Sequence, residues 1–132
     1  MRRRRNHVDI EQDDGKVLRY RPHPNGGGMV ESTAQVHATA WVDRTAYVDP
    51  GARVGAEVRI GAAAWVDRGA VVAAGARIGE TTHIGERAIV GRGAWVRDGA
   101  AVAPGVQVAD GQVVAPDTVL TAPERDGYGT AA

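Results

Sequence analysis

The sequence has no cysteine, no phenylalanine, two methionines, only two leucines (Leu18 and Leu120), and no net charge at neutral pH. Each shortage excludes something. Without cysteine there is no disulfide framework, no thiolate zinc site and no thiol nucleophile. Scarce leucine and absent phenylalanine argue against a layered α/β domain or a helix bundle, whose cores lean on those side chains. No apolar run approaches the ~18 residues of a membrane-crossing helix, so no membrane insertion is expected. Arg2, Arg3, Arg4 and Arg5 resemble the charged start of a signal peptide, but no apolar stretch follows them, so none is read. Balanced charge argues against a generally nucleic-acid-binding surface. One stretch departs from that balance: residues 1–29 carry seven Arg and Lys against four Asp and Glu.

What is present is Val, Ala and 18 Gly in 132 residues, one domain's worth of chain. Their order decides the fold. Every sixth residue from Val30 to Leu120 is aliphatic, through Val42, Val48, Ile60, Val72, Ile78, Ile84, Val96 and Val108, with no phase lost. Four residues after nearly every one lies a small side chain, Gln112 being the polar exception. Proline within the array falls at one phase only (Pro50, Pro104, Pro116), and the next phase holds Gly51, Gly69, Gly75, Gly93, Gly99, Gly105 and Gly111. Proline cannot donate to a sheet ladder and glycine tolerates positive φ, so these two phases are corners. A six-residue period is too short for a helical pair. It suits a short strand and a tight corner, repeated, with one aliphatic inward and its two neighbours outward.

Stretches such as Val54–Arg59 (VGAEVR) and Ile60–Trp65 (IGAAAW) carry an aliphatic residue, a small or acidic one, and a small one at the fifth place. Over residues 30–120 the chain resembles the hexapeptide-repeat proteins. The resemblance implies an all-β fold, a left-handed parallel β-helix of about five triangular coils, and it implies homotrimers. Known members include acyltransferases, gamma-type carbonic anhydrases and structural proteins, so fold alone does not give function.

Coils of 18 residues sort outward positions into ladders ~4.8 Å apart. One face shows Gln35, Arg53, Val71, Ile89 and Gln107; the second Trp41, Arg59, Arg77, Trp95 and Val113; the third Tyr47, Trp65, His83, Ala101 and Val119. Val71 and Ile89, flanked by Gly and Ala, read as an apolar contact strip. Tyr47, Trp65 and His83 read as a stacked column, and Trp41, Arg59, Arg77 and Trp95 as a cation–π column. These seven residues, Tyr47, Trp65, His83, Val71, Ile89, Trp41 and Trp95, are the expected trimer or partner interface. Asp49 and Asp67 stack like charges on adjacent rungs, with Arg68 near enough to screen them.

The four histidines are His7, His23, His37 and His83. None of their spacings fits the three-histidine zinc site that the resemblance associates with carbonic anhydrases, and no metal or other cofactor is expected. His83, with Glu80 and Glu86 near it, is the sole candidate general base, and the array has no interrupting loop to build a pocket around it. A general base needs an orienting partner and a pocket, which the sequence alone does not display.

At the ends, His7–Arg21 alternates apolar and polar residues about Asp13–Lys16 and reads as a β-hairpin arm. It either caps the first coil or, through a Gly-rich linker (Pro22–Gly28), swings onto a partner. Arg2–Arg5 read as an anchor to an acidic surface, with nucleic acid a weaker target. Residues 121–132 read as a flexible tail. The divisions are thus 1–29, 30–120 and 121–132. The expectation from sequence is a non-catalytic, trimeric structural protein docked to a larger assembly through its arm, such as a particle decoration or tail-associated protein, cytoplasmic or virion-associated. Two alternatives stand beside it: an acyl-coenzyme A-dependent acyltransferase with an inter-subunit site and His83 as base, and a glycan-binding platform on Tyr47 and Trp65.

Overall fold

The computed structural model describes residues 7–122; Arg2–Arg5 and most of the expected tail lie outside them. The described residues contain strands and no helix. Val8–Glu11 (β1) and Val17–Pro22 (β2) form an antiparallel hairpin in which Ile10 faces Leu18. Met29–Glu31 (β3) pairs antiparallel with β2 on one side and parallel with Tyr47–Val48 on the other. From Gln35–Val36 to Val119–Leu120 the chain runs through two-residue strands whose starts fall six residues apart. Each strand is one outward residue and one inward aliphatic. The remaining four residues of each period turn the corner, which is why no strand in the array grows longer.

The coils stack with an offset of 18 residues. Arg53, Val71 and Ile89 lie side by side on one face, Arg59, Arg77 and Trp95 on the second, and Tyr47, Trp65, His83 and Ala101 on the third. These are the ladders that sixfold counting gives. The result is a three-sided solenoid of about five parallel coils, its third sheet extended to eight strands by the hairpin. Coil is tied to coil through the backbone: Gln35 N–H donates to the Ala52 carbonyl, and His37 N–H to that of Val54.

The core is a thin aliphatic column. Ile60, Ile84, Val42, Val48, Val66, Val90 and Val96 are fully buried, and Ala40, Ala46, Ala52, Ala70 and Ala76 fill the narrow angles between them. Burial of one such branched side chain is worth ~1.5–3 kcal/mol, an upper estimate before chain entropy is charged against it. At the corners, Gly51, Gly69, Gly75, Gly93, Gly99, Gly105 and Gly111 have φ between 65° and 77°. The first coil has a device of its own: the hydroxyls of Thr33, Thr39 and Thr45 accept the amides of Gly51, Glu57 and Ala63, one coil later.

Two of the three sheet edges at the hairpin end are covered. Strand β2 adds to the third sheet beside β3. The segment after it, Pro22–Gly28, lies on the second, where Val42 N–H donates to Asn25 and Gly28 N–H to Val42. A Cβ on Gly28 would stand 2.2 Å from Val42 Cγ1, and one on Gly26 2.2 Å from the Val42 carbonyl oxygen, so both glycines are demanded by contact. His23, buried, hydrogen-bonds through Nε2 to the Ala40 carbonyl at 3.0 Å. Of the two positions open to the hairpin, the structure shows the cap.

Tyr20 is the bolt of that cap. It is buried, its ring meets Tyr47 edge-on at 5.6 Å, and its hydroxyl donates to Asp49 Oδ1 at 2.8 Å. Burial, then the hydrogen bond and charge of Asp49, then the charge of Glu31 push its phenol well above the ordinary value. A raised phenol pKa favours the folded state as long as unfolded tyrosine stays neutral. This contribution is therefore complete below about pH 10 and fades as pH rises above it. Tyr20→Phe is expected to cost about 1.5 kcal/mol at neutral pH and to flatten the alkaline fall in stability. Denaturant titrations of both proteins at pH 7 and pH 11 check this; a parallel alkaline fall in the two would remove Tyr20 as its source.

Candidate functional site

The third face concentrates the polar chemistry. Outward residues stand before and after each buried aliphatic, making two parallel columns: Tyr47, Trp65 and His83 in one, Glu31, Asp49 and Asp67 in the other. Side chains reach diagonally between them. Trp65 Nε1–H donates to Asp49 Oδ2 at 2.7 Å, and His83 Nε2 meets Asp67 Oδ2 at 3.0 Å, each bridging 16 residues. The other oxygen of Asp67 accepts the Arg68 amide at 2.7 Å. The imidazole and the Trp65 indole are stacked, centroids 4.1 Å apart and planes 9° from parallel.

His83 is therefore fixed in two directions. Trp65 sets the plane of the ring, and Asp67 sets its rotation within the plane. A carboxylate only accepts, so Nε2 carries the hydrogen and Nδ1 carries the lone pair. This is the arrangement of a general base oriented by an acid. The acid is the more sheltered partner, with side-chain exposure of 18% against 39% for the histidine. A groove lined by Thr45, Tyr47, Asp49, Ala63 and Trp65 opens on the neighbouring coil.

Two sequence expectations change here. Asp49 and Asp67 are not a pair of like charges awaiting screening by Arg68; each has its own donors. The expected column of Tyr47, Trp65 and His83 is stacked only in its upper part, because Tyr47 turns to the capping Tyr20.

The second face holds its cation–π contacts. Arg59 lies over Trp41 at 5.7 Å, and Trp95 is held between Arg77 at 4.3 Å and Arg97 at 4.5 Å. A groove lined by Trp41, Asp43, Arg59, Arg77 and Trp95 runs there. Hydrogen bonds from the Thr45 amide and hydroxyl hold the Asp43 carboxyl below its ordinary value. On the first face, Val71 and Ile89 adjoin in register, Val71 half-buried and Ile89 exposed. His37 lies on that face, away from His83, its Nδ1 accepting the Thr39 amide.

No family model and no curated protein matches the chain. Solved structures do. One is the acetyltransferase domain of PglB from Neisseria gonorrhoeae in complex with acetyl coenzyme A, 20% identical over 65% of this chain and 53% of that one, with TM-score 0.47. A second is PerB from Caulobacter crescentus in complex with coenzyme A and GDP-perosamine, 27% identical over 70% of this chain and 51% of that one, with TM-score 0.41. A third is a hexapeptide transferase family protein from Anaplasma phagocytophilum, 19% identical over 71% of this chain and 69% of that one, with TM-score 0.44. The chain spans about half the length of the first two.

The expected non-catalytic assembly protein is corrected at this point. Among the similar structures are an acetyltransferase domain and a hexapeptide transferase family protein, and two of the three hold coenzyme A or its acetyl form. That expectation also leaned on a histidine without an orienting partner, and Asp67 is that partner. The sixfold aliphatic repeat and the three in-register ladders of its coils make this chain a three-sided parallel β-solenoid of hexapeptide repeats, consistent with the left-handed β-helix that the resemblance implies.

Proposed function

We propose that the chain is an acyltransferase that moves an acyl group from an acyl-coenzyme A thioester to an amino or hydroxyl group, with His83 as general base. The observation that carries this reading is the Asp67–His83–Trp65 arrangement, a histidine locked in plane and in tautomer on an otherwise regular face. The acceptor's lone pair attacks the thioester carbonyl carbon. Nδ1 of His83 takes the acceptor's proton, the carbon–sulfur bond breaks, and the proton passes to the departing thiolate. Asp67 steadies the imidazolium that forms in between.

One solenoid face is too open to enclose a thioester. The reading therefore includes a homotrimer, in which a neighbouring solenoid walls the site, with the exposed Trp65, Ile89 and Tyr47 among the surfaces available to pack. Thiol release from acetyl-coenzyme A over a panel of amines and sugar hydroxyls tests the activity, and light scattering tests the assembly. Release that appears with an acceptor and disappears in His83→Ala supports the reading. No release with any acceptor, or release indifferent to His83, overturns it. A mass of one chain in solution removes the walled site.

A further inference from the structure

The plane of the His83 ring is set by the Trp65 indole, so whatever fixes the indole also aims the base. An indole turns about two torsions. The second, at the ring itself, has a broad minimum and is set by what the ring touches. Burial does not set it here, because Trp65 is 42% exposed. Its N–H does: Nε1 donates to Asp49 Oδ2 at 2.7 Å, a short, charge-assisted bond at the rim of the ring. The other oxygen of Asp49 accepts the hydroxyl of the buried Tyr20 at 2.8 Å. Contacts therefore run unbroken from the hairpin cap to the imidazole, from Tyr20 to Asp49, from Asp49 to Trp65, and from Trp65 to His83.

The two rings are tied alike. Trp65 reaches back 16 residues to Asp49, and His83 reaches back 16 residues to Asp67. Parallel ties on successive rungs hold parallel rings, and the planes differ by only 9°. A working base must keep its direction within about 10–20°. If the indole were released from Asp49, the imidazole would lose the surface that sets its plane, and Asp67 alone would leave it free to swing about its one hydrogen bond.

We infer that Asp49 is a positioning residue for the His83 base and acts through the Trp65 indole. The inference deepens the acyl-transfer reading and rests on it for the reaction that His83 serves. Asp49 lines the groove beside Trp65, one coil from His83, and its influence on the base passes through the ring.

Asp49→Ala alone would orphan the buried Tyr20 hydroxyl, so the test is made in Tyr20→Phe, where no hydroxyl needs an acceptor. In that background Asp49→Ala, Asp49→Asn, Trp65→Phe and the Asp49→Ala/Trp65→Phe pair are compared by proton NMR and by steady-state thiol release. Protons held over an indole face are shifted upfield, and the His83 signals are assigned by their loss in His83→Ala. Asp49→Ala is expected to move these signals back toward the positions of free histidine. It is also expected to lower kcat by about 10- to 100-fold, with KM little changed. Asp49→Asn recovers most of both, since its single oxygen has only the indole to serve. In Trp65→Phe, which lacks the N–H, Asp49→Ala adds no further loss. His83 signals that stay in place in Asp49→Ala, or a kcat that does not fall, overturn the inference. So does a loss of equal size in the Trp65→Phe background, which would mean that Asp49 acts on the substrate directly. Failure of the acyl-transfer reading looks different: wild type then releases no thiol, while signals that move in Asp49→Ala still show the imidazole to be held through Trp65.

Discussion

His83→Ala is expected to lower acyl transfer by about 10²- to 10⁴-fold, the usual worth of a positioned general base. The loss falls on kcat more than on KM, because the imidazole takes a proton only as the thioester is attacked. The fold should barely notice. The ring is half-exposed and its stack on Trp65 contributes about 0.5–1.5 kcal/mol. In a domain of this size that is a fall in Tm of roughly 2–8 °C, so a folded, inactive protein is the expected product. Asp67→Asn is the sharper companion. With one accepting oxygen where Asp67 has two, it keeps either the His83 N–H or the Arg68 amide and leaves the imidazolium without a counter-charge, so activity drops sharply while stability falls by only about 1 kcal/mol. Kinetics and melting on the same preparations check both. An active His83→Ala protein would leave the Asp67–His83 pair as a structural rung only.

The fold was legible because its rule is one of period. Sixteen aliphatic positions spaced by six, with Pro confined to one phase of the array, leave no other packing. The same arithmetic sets His83 beside Trp65 on one face. It did not reveal that His83 reaches Asp67. Counting along a column compares residues 18 apart, whereas the working contacts run on a diagonal of 16, from the outward residue before one aliphatic to the outward residue after the aliphatic a coil earlier. That diagonal was present in the sequence twice, as Trp65 with Asp49 and His83 with Asp67, and it marks a donor beside an acceptor each time. Tyr20 was hidden for a different reason. Its partner lies 29 residues on, through a turn that only the packing of Gly26 and Gly28 on Val42 defines.

Ile78→Asp should carry the largest effect on stability. Ile78 is 3% exposed and lies between Ile60 and Val96 in the inward ladder of the second face. It belongs to the aliphatic core cluster, so an aspartate there is cut off from water. The choices are to bury an unpaired carboxylate, to stay protonated at the cost of a raised pKa, or to open the coil, and each costs several kcal/mol. That consumes most of the stability of an ordinary small domain, about 5–15 kcal/mol. The expected protein is insoluble or melts without a cooperative transition. Two controls assign the cause. Ile78→Val removes one methylene and should cost about 0.5–1.5 kcal/mol. Arg77→Asp, one residue earlier and outward, gives up only its contact with Trp95 and should cost about 1 kcal/mol or less. Because side chains alternate strictly across a strand, a slip of one residue would exchange the two outcomes. Denaturant unfolding of the three variants would show it: a tolerated Ile78→Asp beside a ruinous Arg77→Asp would mean that the solenoid is wound one residue out of phase, and that His83 points into the core instead of across to Asp67.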